Sequence, residues 1–81
     1  MKAKVYVTLK PGVLDPQGKA IHHSVEQLGH LNISDIRQGK YFELAFGNGV
    51  SADDAQSTAE RIGKDVLANP VIEDYKVEIE G

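Results

Sequence analysis

The 81-residue sequence contains no cysteine, which excludes a disulfide framework and a thiolate zinc site. It also lacks an apolar run near the roughly 20 residues that a membrane helix requires. Met1 leads directly into an alternating pattern rather than a basic-then-apolar signal segment, so the expectation is a soluble, cytoplasmic protein. No low-complexity stretch, internal repeat, linker or block of like charge interrupts the chain. With 12 acidic and 9 basic side chains the formal charge is −3. That mild acidic balance gives no electrostatic ground for binding nucleic acid or an anionic membrane.

What remains is a single domain over residues 1–81. A chain of this size buries only about 60% of the surface its unfolded form exposes. Without disulfides or a structural metal, oligomerisation is the common remedy for so thin a core, so the chain is expected to form a homo-oligomer, a dimer or a tetramer.

Ala3 to Leu9 alternates, with Val5, Val7 and Leu9 on one side and Lys4, Tyr6 and Thr8 on the other; this is a half-buried strand. Pro11-Gly12 reads as a turn. Asp15 is placed to cap a helix, and Pro16 suits the first helical position, where a missing N–H costs nothing. Ala20, Ile21, Ser24, Val25 and Leu28 form one stripe of that helix, and Gly29 stops it.

The stretch Ile33–Phe46 admits two readings. Gln38-Gly39 could turn a hairpin and give a ferredoxin-like order. Side-chain parity instead favours one long strand bent or bulged at Gly39, because only then do Ile36, Phe42, Leu44 and Phe46 share a face. Gly47-Asn48-Gly49 ends this stretch, and Ser51 caps a second helix whose buried stripe is Ala52, Ala55, Ala59, Ile62 and Val66, with Leu67 at its edge. Asn69-Pro70 terminates it. A last strand from about Val71 to Ile79 points Tyr75, Val77 and Ile79 inward. The expected architecture is α+β: a two-layer sandwich with an antiparallel sheet and both helices on one face. On the opposite, open face Tyr6, Thr8, Tyr41 and Ala45 would lie among charges, a surface that another subunit could cover.

Little here resembles catalytic machinery. His22 and His23 point about 100° apart on a helix, Gly29 separates His30 from them, and no carboxylate completes a ligand set. No serine sits in a nucleophile elbow, and the eight glycines form no phosphate loop. The expectation is no catalytic residue, no bound cofactor and no metal. Val5-Tyr6-Val7-Thr8-Leu9 is similar to the first strand of an RNA-recognition motif. The matching third strand fails, since Lys40 falls where glycine belongs and Glu43 where a base should stack. An ACT-type domain sensing small molecules between subunits is the alternative of this fold class, and fold alone does not license it.

Three stretches carry a resemblance. Leu9-Lys10-Pro11-Gly12-Val13 followed by Asp15-Pro16-Gln17-Gly18, then Ile36-Arg37-Gln38-Gly39-Lys40, then Asn69-Pro70-Val71-Ile72-Glu73-Asp74-Tyr75 resemble, in residues and in order, the PurS family. These are small subunits of phosphoribosylformylglycinamidine synthase, the glutamine-dependent amidation step of purine synthesis. The resemblance implies a non-catalytic subunit that bridges a glutaminase and a large synthetase subunit and assists ammonia transfer. The assembled complex would use ATP and Mg²⁺, none of it held by this chain. Partner contacts are expected at Asp15, Pro16, Gln17 and Gly18 and at Arg37, Gly39 and Lys40. Capping already explains the first group, whereas Arg37 and Lys40 have no packing role visible in the sequence.

Overall fold

The computed structural model describes residues 1–81 and has the α+β class expected, with a three-stranded antiparallel sheet and two helices. Strand β1 (Lys2–Leu9) is central and pairs on one side with β2 (Gly39–Ala45) and on the other with β3 (Glu73–Glu80). Its alternation decides the faces. Ala3, Val5 and Val7 are fully buried, while Tyr6 sits opposite Tyr41 on the open face.

Helix α2 (Ala52–Ile62) covers the sheet over β1 and β3. The Ser51 hydroxyl accepts from the Asp54 amide at 3.1 Å, as a cap should. Ala55 and Ala59 are fully buried against the strands; their small side chains let the helix backbone lie close to the sheet. Val66, expected on this stripe, is instead exposed. The helix widens into a π-type turn over Gly63–Leu67, and the extra residue rotates Val66 outward and brings Leu67 and Ala68 onto the core. The Tyr75 ring packs against Gly63, where a β-carbon would sit only 3.0 Å from it.

The middle of the chain departs from the long-strand reading. Residues 30–38 are irregular, and β2 begins at Gly39. The cause lies in the partner strand. Gly39 pairs with Thr8, and one residue beyond Leu9 the chain turns away, leaving no ladder for residues 36–38 to join. The parity argument still holds within β2, because Phe42 and Leu44 both pack against the core.

Helix α1 (Pro16–Gln27) begins at its Asp15 cap and ends at Gly29, whose φ of 96° is the left-handed conformation that glycine adopts at low cost. It does not lie on the sheet as expected: no strand makes more than marginal contact with it. The irregular segment, residues 30–38, is fixed to it by the Ile36 carbonyl against Gly18 and by a 2.7 Å contact between His22 Nε2 and the Ile33 carbonyl. The molecule is correspondingly elongated, 51 × 26 × 14 Å.

Candidate functional site

The turn after β1 follows from its sequence. Pro11 presets the first central position, Gly12 takes the second at φ 88°, and the Val13 amide donates to the Lys10 carbonyl at 3.1 Å. Asp15 then does two things at once. Its Oδ1 accepts from the Gly18 amide at 2.8 Å, capping α1, and its Oδ2 accepts from the Gln38 amide at 2.9 Å. Gly18 is buried because the Ile36 carbonyl lies where a β-carbon would be.

The middle segment grips back. The Arg37 guanidinium donates to the carbonyls of Leu9 at 2.9 Å and Lys10 at 3.2 Å, satisfying groups that the end of β1 leaves without a strand partner. Arg37 therefore has the structural task that its sequence context does not reveal. Gly39 starts β2 so close to the Val7 carbonyl that no side chain would fit.

The third segment arrives from the far end of the chain. The Lys10 amide donates to the Ile72 carbonyl at 2.8 Å, and the Lys10 ammonium pairs with Asp74 at 2.9 Å. Asn69 shapes this turn, accepting on its side chain from the Val71 amide at 3.1 Å while its own amide donates to Glu73 at 2.8 Å. Lys40 lies 3.9 Å from Glu73, with most of its side chain in solvent. Residues 9–18, 36–40 and 69–75 thus meet at one corner of the sheet.

Two shallow hollows flank Asp15. One of about 280 Å³ is lined by Leu14, Lys19, Asp35 and Arg37, the other of about 150 Å³ by Gln17, Gln38, Lys40 and Glu73. Neither presents a serine, threonine or histidine, so no nucleophile meets a base there. The Gln38 and Gly18 amides, with Arg37 nearby, hold the Asp15 carboxyl below the usual carboxylate range. A carboxylate so held is an anchor, not a base poised near neutral pH. The corner is suited to presenting a rigid surface of mixed charge.

Of the residues expected at a partner contact, Asp15, Gly18, Arg37 and Gly39 build this corner. Pro16, Gln17 and Lys40 stand exposed on it. Lys10, Gln38 and Glu73 complete the corner beyond the expected residues, and all three lie in the stretches that carry the resemblance. Their signal was the spacing of the motifs, which does not say that they touch.

The open face is a separate, solvated surface. Tyr6 and Tyr41 rest against each other with ring centroids 5.2 Å apart, and Tyr41 donates to Glu43 at 2.9 Å. Lys4 pairs with Glu80, which holds the lysine above and the glutamate below their ordinary ranges.

The PurS family model, described as "Phosphoribosylformylglycinamidine (FGAM) synthase", matches residues 2–81. The PurS subunit of phosphoribosylformylglycinamidine synthase from Bacillus subtilis is 43% identical over 79 residues, spanning 98% of this chain and 92% of the relative. The corresponding Mycobacterium leprae subunit is 46% identical over 76 residues, spanning 94% and 91%. Among solved structures, Methanocaldococcus jannaschii PurS, one of the subunits of formylglycinamide ribonucleotide amidotransferase in the purine biosynthetic pathway, superposes with a TM-score of 0.85 at 33% identity, over 98% of this chain and 94% of that one. Bacillus subtilis PurS gives a TM-score of 0.83 at 42% identity, over 99% and 98%. Matched from end to end in sequence and in fold, the chain belongs to the PurS family of phosphoribosylformylglycinamidine synthase subunits.

Proposed function

We propose that this chain is the small, non-catalytic subunit of phosphoribosylformylglycinamidine synthase and acts in the cytoplasm in de novo purine synthesis. It bridges the glutaminase and the large synthetase subunit and assists the passage of ammonia between them. The observation that carries this reading is the end-to-end match to PurS subunits, joined to the convergence of the three motif segments at one corner. ATP and Mg²⁺ belong to the assembled complex, and this chain holds neither. Ammonia released into water near neutral pH is largely protonated and ceases to be a nucleophile. A docked, water-excluding path keeps it neutral and raises its effective concentration.

The corner offers Pro16, Gln17 and Lys40 to a partner on a backbone fixed by Asp15 and Arg37. Mixing the chain with the glutaminase and synthetase subunits under ADP, Mg²⁺ and glutamine tests the reading by mass photometry. A larger complex that requires this chain supports bridging. Glutamine-dependent turnover should need the chain more than turnover with added ammonia does; equal dependence would overturn the ammonia-transfer role.

A further inference from the structure

Between the last rung of the sheet and the cap of α2, the backbone runs without a hydrogen bond. The Phe46 amide donates to the Met1 carbonyl at 3.1 Å, and the next bond runs from the Ala55 amide to the Ser51 carbonyl at 2.9 Å. Gly47, Asn48, Gly49 and Val50 lie between these two fixed points, the first three exposed. None of the four gives or receives a backbone bond. Their amides are left to water, and such a segment opens at almost no cost.

Asn48 stands in this stretch with a glycine on each side, its carboxamide exposed and bonded to no other group. A β-carbon at Gly47 or Gly49 would meet nothing within 4 Å, so no atom crowds the carboxamide or the amide that follows it. Gly49 holds φ 84°, and without a side chain its nitrogen is open to approach. The other two asparagines are blocked. Asn69 precedes Pro70, whose nitrogen carries no hydrogen, and its side-chain oxygen already accepts from the Val71 amide at 3.1 Å. Asn32 precedes Ile33, whose branched β-carbon shields the amide.

We infer that Asn48 is a site of spontaneous deamidation. The Gly49 amide nitrogen loses its proton to base and attacks the side-chain carbonyl carbon of Asn48. The new C–N bond closes a cyclic imide, while the bond to the side-chain nitrogen breaks and ammonia leaves. Water then opens the imide at either carbonyl. One opening leaves aspartate, the other isoaspartate, in which the chain runs through the former side chain. Nothing is oxidised or reduced, and water is the only other reactant. Both products take the formal charge of −3 one unit lower, but their consequences differ. Aspartate adds its charge ahead of a helix whose first turn already holds Asp53 and Asp54, where the dipole tolerates an acid. Isoaspartate lengthens the backbone by a methylene between β2 and α2 and displaces the connection that seats Ser51. The inference stands independently of the bridging role.

Trypsin places each asparagine in its own peptide: Asn32 in 20–37, Asn48 in 41–61 and Asn69 in 65–76. Mass spectrometry of the full-length chain, incubated in neutral and in mildly alkaline buffer, tests the inference. A gain of about 1 Da, ammonia lost and water added, is expected in peptide 41–61 alone, faster in the alkaline buffer. The modified peptide should elute as two forms, of which isoaspartyl methyltransferase labels one. A synthetic peptide of residues 46–51 sets the rate without a fold, and the chain should react within about tenfold of it. Asn48→Gln, whose larger imide ring closes slowly, should abolish the gain and leave the urea midpoint unchanged. A folded chain that stays unmodified while the free peptide converts would overturn the inference. So would a gain that appears first in peptide 20–37 or that survives Asn48→Gln.

Discussion

The Asp15 carboxylate receives the Gln38 amide at 2.9 Å across 23 positions of sequence, with the oxygen that capping α1 leaves free. A helix cap has become a tie between two distant segments. Asp15→Ala should lower the urea midpoint more than capping alone explains. Asp15→Asn, which keeps one acceptor for one of the two amides, should fall between alanine and wild type. Equal midpoints for the two variants would show that the second bond contributes nothing.

The same tie sets a pH dependence. Asp15, Glu43 and Glu80 are all held below the usual carboxylate range: Asp15 by the Gln38 and Gly18 amides, Glu43 by the Tyr41 hydroxyl and then Lys2, and Glu80 by Lys4. The unfolded chain therefore binds more protons, and stability rises with pH through this region. The contribution is fully present above the ordinary carboxylate value of about 4 and is lost as pH falls through the lower folded values. Lys4, held above its ordinary range by Glu80, adds a contribution present at neutral pH and lost only in strong base. Chemical denaturation between pH 2 and 7 should show the acid loss, and Asp15→Ala should flatten it.

Gly18→Ala inverts a general rule. Alanine in place of a helical glycine gains about 1 kcal/mol from propensity. Here the new methyl would overlap the Ile36 carbonyl and the Asp15 carboxylate, so a net loss of roughly 1–2 kcal/mol is expected. Gly47→Ala, where a β-carbon meets nothing within 4 Å and φ lies outside the left-handed region, should stay within about 0.5 kcal/mol. Urea melts of the two variants check the contrast.

Arg37 and Lys40 separate stability from assembly. Arg37→Glu removes two hydrogen bonds to the end of β1 and should cost about 1 kcal/mol. Lys40→Glu disturbs only a long surface pair with Glu73 and should leave the melt within about 0.5 kcal/mol of wild type. Loss of binding to the partner subunits in Lys40→Glu, with its melt unchanged, would place Lys40 at the interface.

Ala59 tests the close approach of α2. Ala59→Leu forces a larger side chain between helix and sheet and should cost about 1–3 kcal/mol. Ala52→Leu, exposed on the same helix, should change stability by less than about 0.5 kcal/mol.

Local chemistry was legible in the sequence. The Pro11-Gly12 turn, the Asp15 and Ser51 caps, the Gly29 stop and the inward parity of β1 and β3 each depend on neighbours within a few residues. What the sequence hid depends on distant partners. The start of β2 is set by where β1 turns away, and the outward rotation of Val66 by a widened helical turn. The exit of α1 from the sheet is set by a carbonyl 18 residues from Gly18. The motifs of the candidate site could be recognised singly, but that they form one corner follows only from the pairing of both outer strands with β1.

Strand order also matters while the chain is being made. β1, the first element, is central, and its two partners come from the middle and the far end of the sequence. Emerging from the ribosome at about 5–20 residues per second, Val5 and Val7 must wait several seconds for β3. Nothing local can shelter them meanwhile, because α1 leads away from the sheet. The most apolar strand of the domain is therefore the one exposed longest during synthesis, and substitutions that slow the arrival of β3 should appear first as lost yield.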